Sequence, residues 1–144
     1  MPACLSWART NRYTLLRVPG YRPHNPDACR IELRSPDPAA NPYLAFAVML
    51  AAGLAGIKEG LEPPTPVDDT NLLTYSSHAA SDAGLSRLPA NLGEAVELFA
   101  ASDLMKETLG EHIHSYLVEA KRADWMDYLR HVSPWELDRY LAVL

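Results

Sequence analysis

The sequence predicts an α+β fold: a short antiparallel strand pair followed by a mainly α-helical C-terminal region. Three observations carry this. "RIELR" at 30–34 alternates charged and apolar residues, the period of a half-buried strand. "NPYLAFAVMLAAGLAGIKEG" at 41–60 is an apolar run with a cap signal at one end and a glycine stop at the other. From Asn91 onward, apolar residues recur at helical spacing, punctuated by residues suited to helix caps.

Each element follows in order. "YTLLRV" at 13–18 reads as a first strand and Cys29–Arg34 as a second. The intervening "PGYRPHNPDA" is rich in Pro, Gly, Asn and Asp, so a hairpin-like pair is the simplest arrangement. On the second strand the period of two sends Ile31 and Leu33 to one face. Arg30, Glu32 and Arg34 share the other. Asn41 is placed as N-cap and Pro42 as first helical residue. Gly60 ends that helix, with Pro63 and Pro64 beyond. The helix is apolar almost all the way round, which predicts burial on most sides by further protein or partner subunits. Residues 61–90 form a long polar connection, of a kind often functional or mobile. "LGEAVELFAAS" reads as a short helix. Ser102 caps the next, ending at Gly110, and a long helix runs from Glu111 to Val132. "SPWE" at 133–136 is a capping box that opens a last helix through Leu144.

The chain has 144 residues, 48% of them apolar, enough for one domain with a core. Thirteen basic against 18 acidic residues give a net charge of -5. That balance argues against a nucleic-acid binder, which needs a basic patch. The longest apolar run falls short of the roughly 20 residues of a membrane span and is broken by Gly53 and Gly56. With no secretory signal at its start, the chain is expected to be cytoplasmic, with Cys4 and Cys29 as reduced thiols. "MPACLSWARTNRY" begins abruptly, as if in the middle of something.

The residues that could carry chemistry are the strand arginines and Glu32. A solvated strand face is one reading of the Arg30, Glu32, Arg34 pattern. A phosphate site is the other. Guanidinium forks onto phosphate or carboxylate oxygens, and a carboxylate beside it can hold Mg²⁺ shared with phosphate and water. Arg12 and Arg17 are near enough in sequence to join from the neighbouring strand. Weaker candidates read as structural. His112 and His114 are two apart and do not share a helix face; His24, His78 and His131 stand alone. Trp125, Tyr128 and Leu129 have core spacing. Asp68 and Asp69 sit in a proline-rich loop, where turn formation is expected.

"NRYTLLRVPGY" followed by "ACRIELRSPDPAANPYLAFAVMLAAGLAGIKEG" closely resembles the C-terminal part of the catalytic domain of bacterial type I glutamine synthetases. The similarity continues through "LPANLGEAVELFAASDLMKETLGEHI" and "KRADWMDYLRHVSPWELDRYL", over essentially the whole chain. The resemblance implies that 1–144 is the C-terminal portion of that domain and part of its catalytic barrel. The N-terminal β-grasp domain and the first part of the barrel would then be absent. It implies an ATP-dependent ligase that joins glutamate to ammonia through γ-glutamyl phosphate, at a site holding Mg²⁺ or Mn²⁺. Relatives that use polyamines or other amines keep a second acceptor open, and a non-catalytic module docking onto a full-length synthetase is a further alternative.

On matching positions, the resemblance implies that Glu32 is a metal ligand. Arg12, Arg17 and Arg30 would contact the nucleotide phosphates and transferred phosphoryl group, and Arg34 the glutamyl substrate. The catalytic residues would be Arg12, Arg30 and Arg34. The other metal ligands and the base belong to the absent part, so the chain alone is expected to be catalytically incomplete. The family assembles as a homo-oligomer, a dodecamer in its two-ring form. Two departures stand out. Tyr13 replaces a small residue after N-R. Leu73 stands where one subgroup carries an adenylylated tyrosine, so that control is not expected.

Overall fold

The computed structural model describes residues 4–20, 24–25, 29–68 and 85–143. The chain divides into two compact units, 1–90 and 91–144.

In the first unit three two-residue strands form one sheet in the order β1 (Trp7–Ala8), β2 (Leu16–Arg17), β3 (Glu32–Leu33). β2 and β3 are antiparallel, as the sequence predicts, with Leu16 opposite Leu33 and Arg17 opposite Glu32. β1 pairs parallel with β2 and was not anticipated. Its pairing depends on a partner nine residues on, and "WA" has no alternation to announce it. The strands are also shorter than 13–18 and 29–34. Local side-chain bonds compete for the backbone ahead of β2. The Tyr13 N–H donates to Asn11 Oδ1 at 2.9 Å, and the Thr14 hydroxyl lies 2.8 Å from the Leu16 carbonyl. Both Asn11 and Thr14 are buried, and these bonds satisfy them. The two faces separate as expected. Leu16, Val18 and Ile31 line an apolar cavity of about 460 Å³ together with Trp7 and Pro64. Arg17 and Glu32 project on the other side.

The helix α1 (Pro42–Glu59) has the predicted ends. Asn41 Oδ1 accepts from the Tyr43 and Leu44 N–H groups, and Pro42 opens the helix. Gly60 ends it in the left-handed region, φ 63° and ψ 36°, where a Cβ would be strained. The predicted burial is not met within this chain: no residue of α1 is buried, and Tyr43 is 84% exposed. Leu61 folds back against its last turn near Gly56. By length and composition alone α1 would suffice to cross a membrane.

The second unit holds α2 (Leu92–Ala100), α3 (Asp103–Arg130) and α4 (Pro134–Tyr140). Asn91, Ser102 and Ser133 cap them, and Ser133 with Glu136 completes the capping box. α2 lies antiparallel on α3. Phe99 stacks on His114 at 4.8 Å, Glu97 pairs with Arg122 at 2.8 Å, and Gly93 meets Trp125. A Cβ on Gly93 would sit 2.5 Å from the indole nitrogen, so the approach requires glycine. Val96 and Val118 are buried between the two helices. Trp125 therefore packs as expected, but Tyr128 and Leu129 do not: they are 69% and 56% exposed. α2 begins at Leu92 opposite Trp125, and α3 runs on past its end.

The predicted break at Gly110 is present as a kink inside α3, with φ 77° and ψ 156°. This region is open essentially to glycine alone. Gly110→Ala is therefore expected to lower stability by about 1–3 kcal/mol, read as a lower urea midpoint in a circular-dichroism melt. An unchanged midpoint would mean that the kink relaxes freely.

Candidate functional site

The site is built on the β2–β3 ladder. Antiparallel register sets Arg17 directly across from Glu32, the spacing at which opposite charges meet on one sheet face. Arg17 Nη1 donates to both Glu32 oxygens, at 3.0 and 3.2 Å. Along β3, Arg30 and Arg34 lie two residues to either side and so share the face of Glu32. Arg30 Nε and Nη2 approach Oε1 at 3.0 and 2.8 Å. Arg34 Nη2 reaches Oε2 at 3.3 Å. Three guanidiniums thus converge on one carboxylate.

Glu32 is held down to a pKa of about 2. The Arg17 hydrogen bond is the largest cause; partial burial opposes it, and the Arg30 bond, the charge of Arg17 and the Arg34 bond add to it. One carboxylate cannot neutralise three cations, so the face keeps an excess of positive charge. Arg17 Nε is buried and, among the described residues, has no acceptor.

The fourth predicted arginine sits differently. The Arg12 side chain is exposed and makes no hydrogen bond or ion pair to a described residue. Its backbone joins the site instead: Arg34 Nη1 donates to the Arg12 carbonyl.

Among the described residues no three His, Cys, Asp or Glu side chains cluster as metal ligands do. His114 is buried, with Nε2 3.1 Å from the Phe99 carbonyl, while His112, His24 and His131 are exposed. Cys4 and Cys29 are unpaired thiols. Asp69, Leu73 and His78 lie outside the described residues.

One contributor was missed. Asp68, read as a turn former, reaches across the unit: its Oδ1 accepts the N–H groups of Arg9 at 2.7 Å and Thr10 at 2.9 Å. The Thr10 backbone bond comes first in holding its carboxyl below the usual range. A contact across 58 residues leaves no local signal.

The comparisons with known proteins agree on this arrangement's origin. The sequence profile described as "Glutamine synthetase, catalytic domain" matches residues 1–140. A glutamine synthetase of Methanosarcina mazei is 46% identical over 99% of this chain and 31% of its own length. One from Mycolicibacterium smegmatis is 43% identical over 99% of the chain and 32% of its own length. A solved chain described as "GmaS/ADP complex-Conformation 1" superposes with a TM-score of 0.80 at 33% identity, covering 98% of this chain and 30% of that one. The chain spans about a third of the length of the curated relatives it matches. With a profile match over 140 residues that includes the arginine-ringed glutamate and both units, this chain belongs to the family of the glutamine synthetase catalytic domain.

Proposed function

We propose that this chain supplies the arginine–glutamate wall of an ATP-dependent ligase that joins glutamate to ammonia through γ-glutamyl phosphate. The observation that carries it is the convergence of Arg17, Arg30 and Arg34 on Glu32, with Arg17 Nε left without an acceptor among the described residues. Cations preset where negative charge moves stabilise a phosphoryl-transfer transition state without reorganising. Arg12, Arg17 and Arg30 would hold the phosphates and the transferred group, and Arg34 the glutamyl side. Glu32 would ligate one Mg²⁺ or Mn²⁺, which when bound neutralises phosphate charge. The likeness to a chain described as an ADP complex supports the nucleotide part of this reading.

A single carboxylate cannot build the whole metal site, so the chain acts as the C-terminal portion of a larger catalytic domain and is incomplete alone. Its setting in this reading is a cytoplasmic homo-oligomer of the family's dodecameric kind, with no nucleic-acid or membrane partner. Its structural neighbour carries a different name from its curated relatives, so the shared wall does not choose the acceptor. A γ-glutamyl-polyamine or other amine ligase is the second reading, and a module docking onto a full-length synthetase the third.

The test is calorimetric binding of a non-hydrolysable ATP analogue to this chain substituted for the matching third of the Methanosarcina mazei glutamine synthetase. Binding is expected to need Mg²⁺, to tighten with added glutamate and to weaken roughly tenfold in Arg30→Ala, the scale of one lost charged hydrogen bond. Binding indifferent to glutamate and to Arg30→Ala would overturn the ligase reading. A rate change when the chain is mixed with a full-length synthetase would favour the docking module.

A further inference from the structure

The 9–12 turn is held from outside itself. Asp68 Oδ1 accepts from Arg9 N–H, Thr10 N–H and, at 3.1 Å, the Thr10 hydroxyl. Beside it, Asn11 Nδ2 donates to the Val67 carbonyl at 3.3 Å, and the Val67 N–H donates to the Trp7 carbonyl at 2.8 Å. The segment ending at Asp68 is therefore strapped along β1 and over the turn that follows it. At the far end of that turn the Arg12 carbonyl takes Arg34 Nη1, and Arg34 Nη2 reaches Glu32. An unbroken path of bonds runs from Asp68 through the turn and Arg34 to the central carboxylate.

We propose that Asp68 is a positioning residue for the site: it fixes the turn that carries Arg12 and, through the Arg12 carbonyl, the guanidinium of Arg34. The inference rests on the phosphoryl-transfer reading of those arginines. All three donors meet one oxygen, Oδ1, and they are two backbone N–H groups and a hydroxyl. An amide oxygen could serve in its place; a methyl group could not. A turn set by such bonds holds its side chains to the fraction of an ångström that a reacting group needs.

The experiment uses the full chain with Asp68→Ala, Asp68→Asn, Arg12→Ala and the double variant Asp68→Ala/Arg12→Ala. The probe is inorganic triphosphate, titrated by calorimetry. Asp68→Ala is expected to weaken binding about tenfold or more, and Asp68→Asn to restore most of it. The double variant should bind more tightly than the sum of the two single losses predicts, because both act through one turn, yet more weakly than Arg12→Ala, whose backbone carbonyl still holds Arg34. Additive losses, or an asparagine as damaging as alanine, would overturn the proposal. A second arm needs no ligand: hydrogen exchange of the Arg34 guanidinium, followed by NMR, should quicken in Asp68→Ala and stay slow in Asp68→Asn. If the unsubstituted chain fails to bind triphosphate, the phosphoryl reading falls. The exchange arm then still decides the tie, and unchanged Arg34 exchange in Asp68→Ala sinks it.

Discussion

Glu32→Ala is expected to abolish Mg²⁺-dependent binding of an ATP analogue, weakening it by roughly a hundredfold, the scale on which a lost metal-site partner is felt. Two causes add. In the proposed reading the site loses a carboxylate that would ligate the metal, and Arg17, Arg30 and Arg34 lose the acceptor that gathers them. Glu32→Gln separates the two, because it keeps one acceptor oxygen but no charge. Calorimetry on both variants checks this, and retention of Mg²⁺ dependence in either would remove Glu32 from the metal. The same residue sets an acid limb of stability. Its pKa falls from 4.5 to about 2 on folding, so between those values the unfolded chain binds more protons. The contribution of the arginine clamp is therefore present above about pH 4.5 and lost as pH falls towards 2. Urea melts of Glu32→Gln should show a shallower acid limb than the unsubstituted chain. Asp68, Glu97 and Glu111 have lowered values too and keep the limb from vanishing.

The second large effect concerns α1. Tyr43, Phe46, Leu50 and Ile57 lie three, four and seven residues apart, so they form one stripe, and each is at least 66% exposed. Covering one such side chain is worth about 1.5–3 kcal/mol, and an apolar stripe of this kind facing water marks an interface. Purified by itself, the chain is expected to self-associate. Sedimentation velocity should show mass rising with concentration, and replacing the four residues by glutamine should return the chain to a monomer. A sharp monomeric boundary at every concentration, with a cooperative melt, would refute the expectation. Family membership gives the stripe an ordinary meaning: α1 falls inside the catalytic-domain match, where the relatives carry twice as much further chain again.

What was legible in the sequence was local. Asn41, Pro42 and Gly60 bounded α1 because caps are decided within four residues. The Arg30, Glu32, Arg34 face was legible because a strand repeats every two residues. Adding Arg17 needed only the antiparallel pairing that the intervening turn residues suggested. β1 and Asp68 were hidden because their partners are set by tertiary packing, not by pattern. The exposed Tyr128 and Leu129 were misjudged for a related reason: spacing tells which face of α3 they share, and the length of α2 decides whether that face is covered. The burial predicted for α1 from its composition is not met among the described residues, because apolar content alone does not say what covers a helix.

The shared acceptor at the centre of the site also makes binding an exchange. Glu32 cannot serve a divalent ion and three guanidiniums with the same two oxygens. An anion that takes the same N–H groups of the guanidiniums likewise competes with Glu32 for them. Each ligand thus removes the other's competitor, and linkage requires the coupling to be equal in both directions. Mg²⁺ should raise triphosphate affinity by the same factor by which triphosphate raises Mg²⁺ affinity. The charge cluster that holds the sheet face together at rest would then act as a latch that opens fully only when metal and phosphate arrive together.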